Sequence, residues 1–264
     1  MKNKFSYMLA PIESMTDSCF RTICRGADLT FTEKVNIEAL AKNNEFALEK
    51  IKLYDNTPCQ IQLLGQKEEP LKKFLANFTP ENGFKGFNLN LGCPDPAVVS
   101  KGLGCAMMKR VSKINRLVHI IKDHNHNVSV KMRLGLNQHE KEKKVYLNLI
   151  NGVDADFFIV HARHGKQNYS EKADLSVIKE CIATGKNIIA NGDITTKSDI
   201  EKLRDCAGIM IGRAAITNPL IFAELKGIKT PPINEIINEY LELAKKRNAP
   251  QKYQNNILRR IQQN

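Results

Sequence analysis

The sequence lacks several features that would place the protein in a membrane or in an oxidising compartment. No apolar run approaches the roughly 18 to 20 residues that a membrane-spanning helix needs. The basic start has only a short apolar part, ending in Ala10 and followed by Pro11, which favours a first strand over a signal peptide. Its cysteines are odd in number, seven, and none are spaced C-x-x-C, which argues against disulfides and a standard zinc site. We therefore expect a cytoplasmic protein with reduced thiols, no metal and no membrane partner.

Acidic residues are too few to balance the basic ones. Forty Lys and Arg stand against 28 Asp and Glu, which leaves a net charge of +12. Such an excess favours a polyanionic partner, although a solvated lysine-rich surface gives the same total. No acidic residue follows position 245, where six basic ones cluster: Lys245, Lys246, Arg247, Lys252, Arg259 and Arg260. This clustering favours nucleic acid as the partner.

Short apolar runs alternate with longer helical patterns, which is typical of repeated βα units. The predicted strands are Tyr7–Ala10, Leu29–Glu33, Gln60–Leu64, Gly86–Leu91, Val128–Arg133, Phe157–His161, Asn187–Asn191 and Gly208–Ile211. The predicted helices include Asp17–Arg25, Ile37–Lys50, Glu69–Phe78, Ser112–Lys122, Lys141–Asn151, Leu175–Thr184 and Ser198–Asp205. Eight strands with connections too long for hairpins predict an α/β fold, a closed parallel (β/α)8 TIM barrel. An open doubly wound sheet is the alternative, but the G-x-G-x-x-G turn typical of it is absent.

Pro231-Pro232 marks the one clear boundary in the chain. The residues after it predict two helices, each with an apolar stripe, separated by Ala249-Pro250. We expect residues 1–230 to form the barrel and residues 231–264 to form a short helical extension.

The predicted strands end in polar or titratable residues, and parallel barrels build their active sites at these ends. Eight such ends in register predict a polar cofactor or substrate over the barrel mouth. Gly192 and Gly212 follow the last two strands, where barrels usually bind phosphate; either glycine alone would equally start a left-handed turn. Arg213 adds a charged donor beside them. Cys93 lies between glycine and proline just beyond a strand, so its thiol is a candidate for chemistry, whereas the other cysteines are expected to be inert.

Taken together, these segments resemble the tRNA-dihydrouridine synthase family. The matching motifs, in family order over residues 8 to 222, are Ala10-Pro-Ile-Glu-Ser-Met-Thr-Asp17 with Phe20-Arg21, Gln62, Asn90-Leu-Gly-Cys-Pro94, Lys131-Met-Arg133, His161-Ala-Arg163, Asn191-Gly-Asp193, Gly208-Ile-Met-Ile-Gly-Arg213 and Asn218-Pro219. No single motif is decisive, but the ordered set is specific. The resemblance implies a flavoprotein that uses FMN and NADPH to reduce uridine to dihydrouridine in tRNA.

The resemblance also implies roles for individual residues. FMN would be held by Pro11, Ile12, Glu13, Gln62, Lys131 and His161, and its phosphate by Asn191, Gly192, Asp193, Gly212 and Arg213. Cys93 would be the general acid that protonates C5 of the uracil while hydride reaches C6. The uracil would be flipped out of the tRNA and oriented by Asn90, Arg133, Arg163 and Tyr169. The six clustered basic residues would contact tRNA phosphates.

Two positions depart from the family pattern, since Ser14 stands where glycine is usual and His164 where threonine is common. Residues 231–264 are fewer than the helical domain usual in the family, so we expect a reduced docking region or a different mode of tRNA recognition.

Two alternative functions stay open. One is a flavin barrel that reduces a free pyrimidine, similar to the dihydroorotate dehydrogenases, which the net charge opposes. The other is an RNA-binding barrel without flavin, which the presence of Lys131, Cys93 and Arg213 opposes.

Overall fold

The computed structural model describes residues 4–261, and residues 1–3 and 262–264 of the two predicted regions lie outside it. The strands of this span are β1 (Ser6–Leu9), β2 (Thr30–Phe31), β3 (Val35–Asn36), β4 (Cys59–Leu64), β5 (Phe84–Leu91), β6 (Val128–Met132), β7 (Phe157–His161), β8 (Ile188–Asn191) and β9 (Gly208–Ile211). They form one parallel sheet in the order β1-β9-β8-β7-β6-β5-β4-β2, with the short β3 also beside β4. The Leu9 N–H donates to the Leu29 carbonyl at 3.0 Å, which brings the two ends of the sheet together. The predicted barrel is confirmed.

Helices follow the strands and cover the outside of the barrel. They are α1 (Ser18–Ile23), α2 (Ile37–Leu40), α3 (Glu45–Ile51), α4 (Glu68–Ala76), α5 (Pro96–Val99), α6 (Val111–Asp123), α7 (Gln138–Glu142), α8 (Val145–Gly152), α9 (Val177–Ile182), α10 (Lys197–Glu201), α11 (Arg213–Thr217), α12 (Ile221–Leu225), α13 (Ile233–Lys246) and α14 (Gln251–Ile261), with a 3₁₀ turn at Gly104–Met107. No helix within residues 4–261 is long and apolar enough to cross a membrane.

Two of the predicted helices were wrong as single elements. The segment predicted as 37–50 is divided into α2 and α3 because Asn43 adopts a left-handed backbone (φ 52°) and the Asn44 side chain caps α3. The segment predicted as 141–151 is divided at Lys144, which is also left-handed (φ 51°) and lies between α7 and α8. Apolar periodicity runs through both breaks, so the pattern alone did not reveal them.

The interior of the barrel is apolar on one side and polar on the other. Inward-facing residues of β1, β2, β7, β8 and β9 form a small apolar cluster that includes Met8, Phe31, Ile159, Ile189 and Met210. On β4, β5 and β6 the buried inward positions are instead polar: Gln60, Gln62, Asn88 and Ser129. Because side chains alternate along a strand, the residues between them face the covering helices and join the main apolar core. The polar half of the barrel determines where the candidate site lies.

The C-terminal extension packs against the barrel. α13 lies against α1 and buries Ile236, Tyr240 and Ala244, whereas Leu241 is 38% exposed. α14 buries Ile257 and Ile261 and contacts α11. The predicted pair of helices separated near Ala249-Pro250 is therefore confirmed, with both helices docked on the barrel.

The first helix begins at a carboxyl group that is partly shielded from water. Asp17 Oδ1 accepts from the Phe20 N–H at 2.8 Å, whereas Asp17 Oδ2 is buried without a hydrogen-bond partner. Burial raises the pKa of Asp17 to about 6, although the Phe20 N–H and the nearby Arg21 oppose this. Folding therefore favours the protonated carboxyl, and the associated stability is present below the unfolded pKa of about 3.9 and is lost as the pH rises through 6.

We expect Asp17→Asn to stabilise the protein at neutral pH. Asparagine still caps the helix but has no charge to bury, so the free energy of unfolding should be about 1 to 3 kcal/mol higher than for the unchanged chain above pH 7. The difference should shrink towards pH 4. Urea denaturation at pH 4.5 and 7.5 measures both values, and a loss of stability at pH 7.5 would contradict the raised pKa.

Asp199 at the start of α10 provides a control of opposite sign. The N–H groups of Thr195 and Thr196 hold the pKa of Asp199 below its usual range, although partial burial opposes them. Asp199→Asn should therefore lower stability above pH 4, where the ionised carboxylate accepts these bonds.

Candidate active site

A chain of side-chain hydrogen bonds crosses the polar half of the barrel. Ser129 Oγ donates to Gln60 Oε1 at 2.5 Å and accepts from Asn88 Nδ2 at 2.7 Å. Gln62 Nε2 donates to Asn88 Oδ1 at 2.7 Å, and Asn90 Nδ2 donates to Gln62 Oε1 at 2.8 Å. Buried amides are costly unless they are hydrogen-bonded, so this chain fixes the orientation of each member. It ends at Asn90, at the carboxyl end of β5.

Asn90 holds the turn that carries Cys93. Asn90 Oδ1 accepts from the Gly92 N–H at 3.1 Å and from the Cys93 N–H at 3.0 Å. On the other side of the turn, the Cys93 carbonyl accepts from the Cys105 N–H at 3.1 Å. Gly104 is left-handed (φ 58°), and a Cβ there would lie 2.4 Å from the Cys93 carbonyl oxygen, so only glycine fits. The position of Cys93 is therefore fixed by its main chain.

Cys93 is the only one of the seven cysteines, all of them within the described residues, that is partly exposed. The other six are buried, as the sequence predicted. Burial raises the pKa of Cys105, whose N–H donates to the Cys93 carbonyl, to about 12, and this keeps the Cys105 thiol protonated. Only Cys93 presents a thiol to the barrel mouth.

A small cavity of about 150 Å³ lies at the carboxyl ends of the strands. We call it the mouth cavity; it is lined by Pro11, Glu13, Lys34, Gln62, Asn90, Gly92, Cys93, Pro94, Lys131, Arg133, His161 and Tyr169. Most of the residues that the sequence assigned to the isoalloxazine and to the uracil therefore lie together. Lys34, Gly92 and Pro94 also line the cavity, although no role was predicted for them. Ile12, for which a role was predicted, lies with its side chain beside Gly212.

Lys131 and His161 share a buried, cation-rich environment. Burial and the neighbouring Arg133 lower the pKa of Lys131 to about 7, and its Nζ donates to Asn191 Oδ1 at 3.0 Å. Burial, together with Lys131 and three arginines, lowers the pKa of His161 to about 2, so this imidazole is neutral at physiological pH. Crowded cations destabilise one another, and a bound anion would relieve that repulsion.

A second cavity, of about 560 Å³, adjoins the ends of β8 and β9. We call it the phosphate cavity; it is lined by Asn191, Gly192, Asp193, Ile194, Thr195, Met210, Ile211, Gly212, Arg213, Ala214 and Thr217. All five residues that the sequence assigned to a phosphate group lie here. Gly192 has a φ of 123°, and a Cβ there would lie 2.9 Å from Ala173 Cβ, so glycine is required by its backbone and its neighbours.

The Asp193 carboxylate connects two arginines of very different exposure. It pairs with Arg163 at 2.5 Å and with Arg213 at 2.7 Å, and it accepts from the Ala173 N–H at 2.9 Å. The Arg163 side chain is 1% exposed and the Arg213 side chain is 56% exposed. Burial opposes ionisation of Asp193, but these donors hold its pKa below the usual range.

Tyr169 lies where the two cavities meet. Its ring lies nearly parallel to that of His161 (25°, centroids 6.1 Å apart), and the Arg213 guanidinium carbon lies 4.6 Å from the Tyr169 centroid. Arg133 and Arg163 each lie 5.6 Å from the same centroid. Cation–π attraction gathers these three guanidinium groups around one ring, which is itself 55% exposed.

The first two mouth loops are joined to the C-terminal extension. Glu13 pairs with Lys34 at 2.9 Å and with Lys50 at 2.7 Å. Glu33, only 3% exposed, accepts from the Ser14 N–H and from Tyr253 Oη of α14, the latter at 2.5 Å. These contacts hold α14 at the rim of the mouth.

The clustered basic residues do not all have the same role. Lys245, Lys246, Lys252, Arg259 and Arg260 are exposed. Arg247 differs, because its side chain is 7% exposed and donates to Asp55 at 2.8 Å and to Thr22 at 3.0 Å. Its guanidinium therefore links the end of α13 to the barrel, and the expected contact of Arg247 with tRNA stays a prediction.

The dihydrouridine synthase (Dus) family model matches residues 8–263 of the chain. The chain belongs to this family. It is 31% identical over 233 residues to a probable tRNA-dihydrouridine synthase of Aquifex aeolicus, covering 84% of this chain and 73% of that protein. It is 30% identical over 241 residues to one of Helicobacter pylori, covering 87% and 72%. A tRNA-dihydrouridine(47) synthase [NAD(P)(+)]-like protein of Rattus norvegicus is also 30% identical, over 83% of this chain and 35% of that protein.

Solved structures at low sequence identity support the fold. A 2-naphthoyl-CoA reductase complex gives a TM-score of 0.59 at 10% identity, over 86% of this chain and 50% of that chain. Morphinone reductase gives 0.53 at 12% identity, over 88% of each chain. The family, the fold class and the oxidoreductase class predicted from the sequence are confirmed.

The hydrogen-bond chain through Gln60, Asn88 and Ser129 was not predicted, although the sequence contains a signal for it. Polar residues at every second position of a buried strand indicate the inside of a barrel, and Gln60 with Gln62 and Asn88 with Asn90 have this spacing. The contact between Glu33 and Tyr253 had no such signal, since these residues lie 220 positions apart.

We expect Asp193→Asn to destabilise the protein much more than Arg213→Ala, although both remove an ion pair of Asp193. Asparagine tolerates the left-handed backbone at this position (φ 50°) but leaves Arg163 buried without a counter-charge. We expect a loss of about 2 to 4 kcal/mol for Asp193→Asn and of less than about 1 kcal/mol for Arg213→Ala. Urea denaturation without added ligand measures both, and equal losses would contradict the importance of the buried pair.

Proposed function

We propose that this chain is a tRNA-dihydrouridine synthase that binds FMN and uses NADPH to reduce the C5–C6 bond of uridines in tRNA. One observation carries the proposal: Asn90 fixes the turn of the only partly exposed thiol, Cys93, in a cavity that also contains Lys131. Family membership and the names of the relatives support this activity, and the name of the rat relative includes NAD(P)(+).

The donor set of the two cavities fits an anionic cofactor such as FMN. Lys131, Arg133, Arg163 and Arg213 surround Tyr169 and His161, with Asp193 the carboxylate paired to two of them. The N–H groups around Gly192 and Gly212 and the exposed Arg213 would hold the phosphate. Tyr169 has to move for one ligand to occupy both cavities. When bound, FMN would accept hydride from NADPH and pass it to C6 of the uracil.

Lys131 would stabilise the negative charge of the reduced cofactor. Its pKa of about 7 reflects burial beside Arg133 without a carboxylate in contact. An anion placed beside Nζ would favour the protonated amine and raise this pKa. The mouth is thus arranged to gain electrostatic stabilisation when negative charge develops there.

Cys93 would donate its proton to C5 of the uracil, which balances the hydride received at C6. The thiol has to be protonated when it acts, and the main-chain hydrogen bonds of the turn hold it in place. Asn90 and Arg133 line the same cavity and would bond the uracil carbonyls. Arg163 was expected to do so as well, but it pairs with Asp193 and donates to the Glu171 carbonyl, so we assign it to positioning.

Cys93→Ala should leave FMN binding and the NADPH-dependent reduction of the flavin unchanged, because the thiol takes part only in protonation of the uracil. Dihydrouridine formation in a tRNA transcript should slow by about 10² to 10⁴-fold. Flavin absorbance measures the first two properties, and mass spectrometry of digested tRNA measures the third.

Cys206→Ala is the matched control for this variant, since it removes a buried thiol that precedes β9, at the end of the barrel opposite the mouth. It should retain full dihydrouridine formation. Undiminished activity of Cys93→Ala would exclude Cys93 from the mechanism, and equal turnover of uridine without RNA would favour a pyrimidine reductase instead.

The exposed basic residues of α14 would contact tRNA phosphates at the rim of the mouth. We expect the triple change of Lys252, Arg259 and Arg260 to glutamine to weaken tRNA binding and to reduce the slope of log K against log salt by up to about three. Filter binding between 50 and 250 mM salt measures this slope. The same change at Lys179, Lys197 and Lys202, exposed residues beside α9 and α10, should leave the slope as it was; equal effects would mean that no defined surface binds the RNA.

A further inference from the structure

A second concave site lies beside the mouth and is used by nothing in the chemistry described above. It is a cleft of about 550 Å³ between α1, α3 and the turn that joins α13 to α14. Arg21, Phe46, Lys52, Tyr54 and Tyr253 are among its lining residues. A volume of this size suits a ligand as large as a nucleotide.

The cleft contains the buried guanidinium group of Arg21 and, near enough to interact with it, the carboxyl group of Asp17. Arg21 is 4% exposed, and it donates to the main-chain carbonyls of Thr16 at 3.0 Å and Lys52 at 3.5 Å. Among residues 4–261 neither Arg21 nor Arg133, which is buried in the mouth, forms a direct ion pair, whereas Arg163 and Arg247 pair with Asp193 and Asp55. Buried charges are usually paired, and an anionic ligand in the cleft would give Arg21 the direct pair that it lacks. Phe20-Arg21 also belongs to the family motif, although neither residue lines the mouth cavity.

Two aromatic rings stand at the edge of the same cleft. Phe46 is 83% exposed, which is unusual for such a large apolar side chain, and Tyr54 is 42% exposed. The Arg247 guanidinium carbon lies 5.4 Å from the Tyr54 centroid, so this ring is held by a cation–π contact. Exposed aromatic rings beside basic groups are the combination that binds unstacked bases and their phosphates.

The cleft adjoins the mouth across one ion pair. Lys50 lines it and donates to Glu13, a residue of the mouth cavity, at 2.7 Å. Tyr253 of α14 also lines the cleft, and its hydroxyl group donates to Glu33 at the rim of the mouth. A polynucleotide with one uridine in the mouth therefore passes close to the cleft.

We propose that this cleft binds a second nucleotide of the same tRNA, with its base on Phe46 and Tyr54 and its phosphate beside Arg21 and Lys52. The inference rests on the proposed function and adds to it a second contact point that places the tRNA over the mouth. The cleft is open to solvent at Phe46, so an RNA strand can enter it from that side. The reductant, by contrast, has to enter the mouth, which lies on the other side of the Lys50–Glu13 pair.

Phe46→Ala tests the stacking contact. The side chain is 83% exposed, so its loss should leave folding intact. The Kd and the KM for a tRNA transcript should rise by on the order of tenfold, because the variant loses the stacking of one base on an aromatic ring. The turnover at saturating tRNA and the KM for NADPH should stay unchanged, and Phe46→Trp should retain tight binding.

Ile228→Ala is the matched control, since it removes another exposed apolar side chain (53%) outside the cleft. It should bind tRNA like the unchanged protein. Equal tRNA affinity of Phe46→Ala and the unchanged protein would overturn the proposal, and so would a rise of the KM for NADPH alone.

Lys52→Gln tests the phosphate contact, with Lys72→Gln as its control. Both lysines are about half exposed and pair with a glutamate three positions earlier, Lys52 with Glu49 and Lys72 with Glu69. Only the Lys52 variant should reduce the salt slope of tRNA binding, by about one; equal slopes in both variants would overturn the phosphate contact.

The two levels of the proposal fail in different ways. If the unchanged protein forms no dihydrouridine, the proposed function is wrong. If it forms dihydrouridine while Phe46→Ala and Lys52→Gln bind tRNA normally, the function stands and only the assignment of the cleft is wrong.

Discussion

The structure depends on one constraint, that the polar half of the barrel interior has to satisfy its own hydrogen bonds. Gln60, Ser129, Asn88, Gln62 and Asn90 do this as a continuous chain across three adjacent strands. In a medium of low dielectric each unmade bond is costly, so the chain has one favourable arrangement. Its last member fixes the Cys93 turn, and the position of the thiol therefore follows from packing at the centre of the barrel.

Electrostatics at the mouth follows from the same burial. Lys131 and several arginines lie in a space from which water is largely excluded, and the Asp193 carboxylate offsets only part of their charge. Burial lowers the pKa of Lys131 and keeps His161 neutral, and a bound anion would reduce the repulsion between the cations of the mouth. Tyr169 gathers three guanidinium groups between the two cavities, where a ligand that fills both would have to displace it.

The contacts that fix the C-terminal extension to the barrel matter for the proposed tRNA binding as much as its positive charge does. Glu33, a buried carboxylate, joins the loop at Ser14 to Tyr253 of α14. Arg247 ties the end of α13 to Asp55 on the barrel. Two short helices are thereby held rigidly beside the mouth, and the cleft between them and α3 gives the extension a second surface. A small extension can therefore position a large RNA if its contacts are fixed relative to the catalytic loops.

The sequence by itself determined the eight strands of the barrel, the family and most of the residues that line the mouth. Strand periodicity is a local property, and the ends of parallel strands converge in any barrel, so Cys93, Lys131 and His161 had to lie near one another. Only the tertiary structure decided which arginines are not directly paired with protein carboxylates and can bind an anionic ligand. Arg247 and Arg163 are paired and buried, whereas the buried Arg21 donates its hydrogen bonds to main-chain carbonyls. Such partners come from distant parts of the chain, as with Arg247 and Asp55, and the pattern around an arginine carries no information about what packs against it.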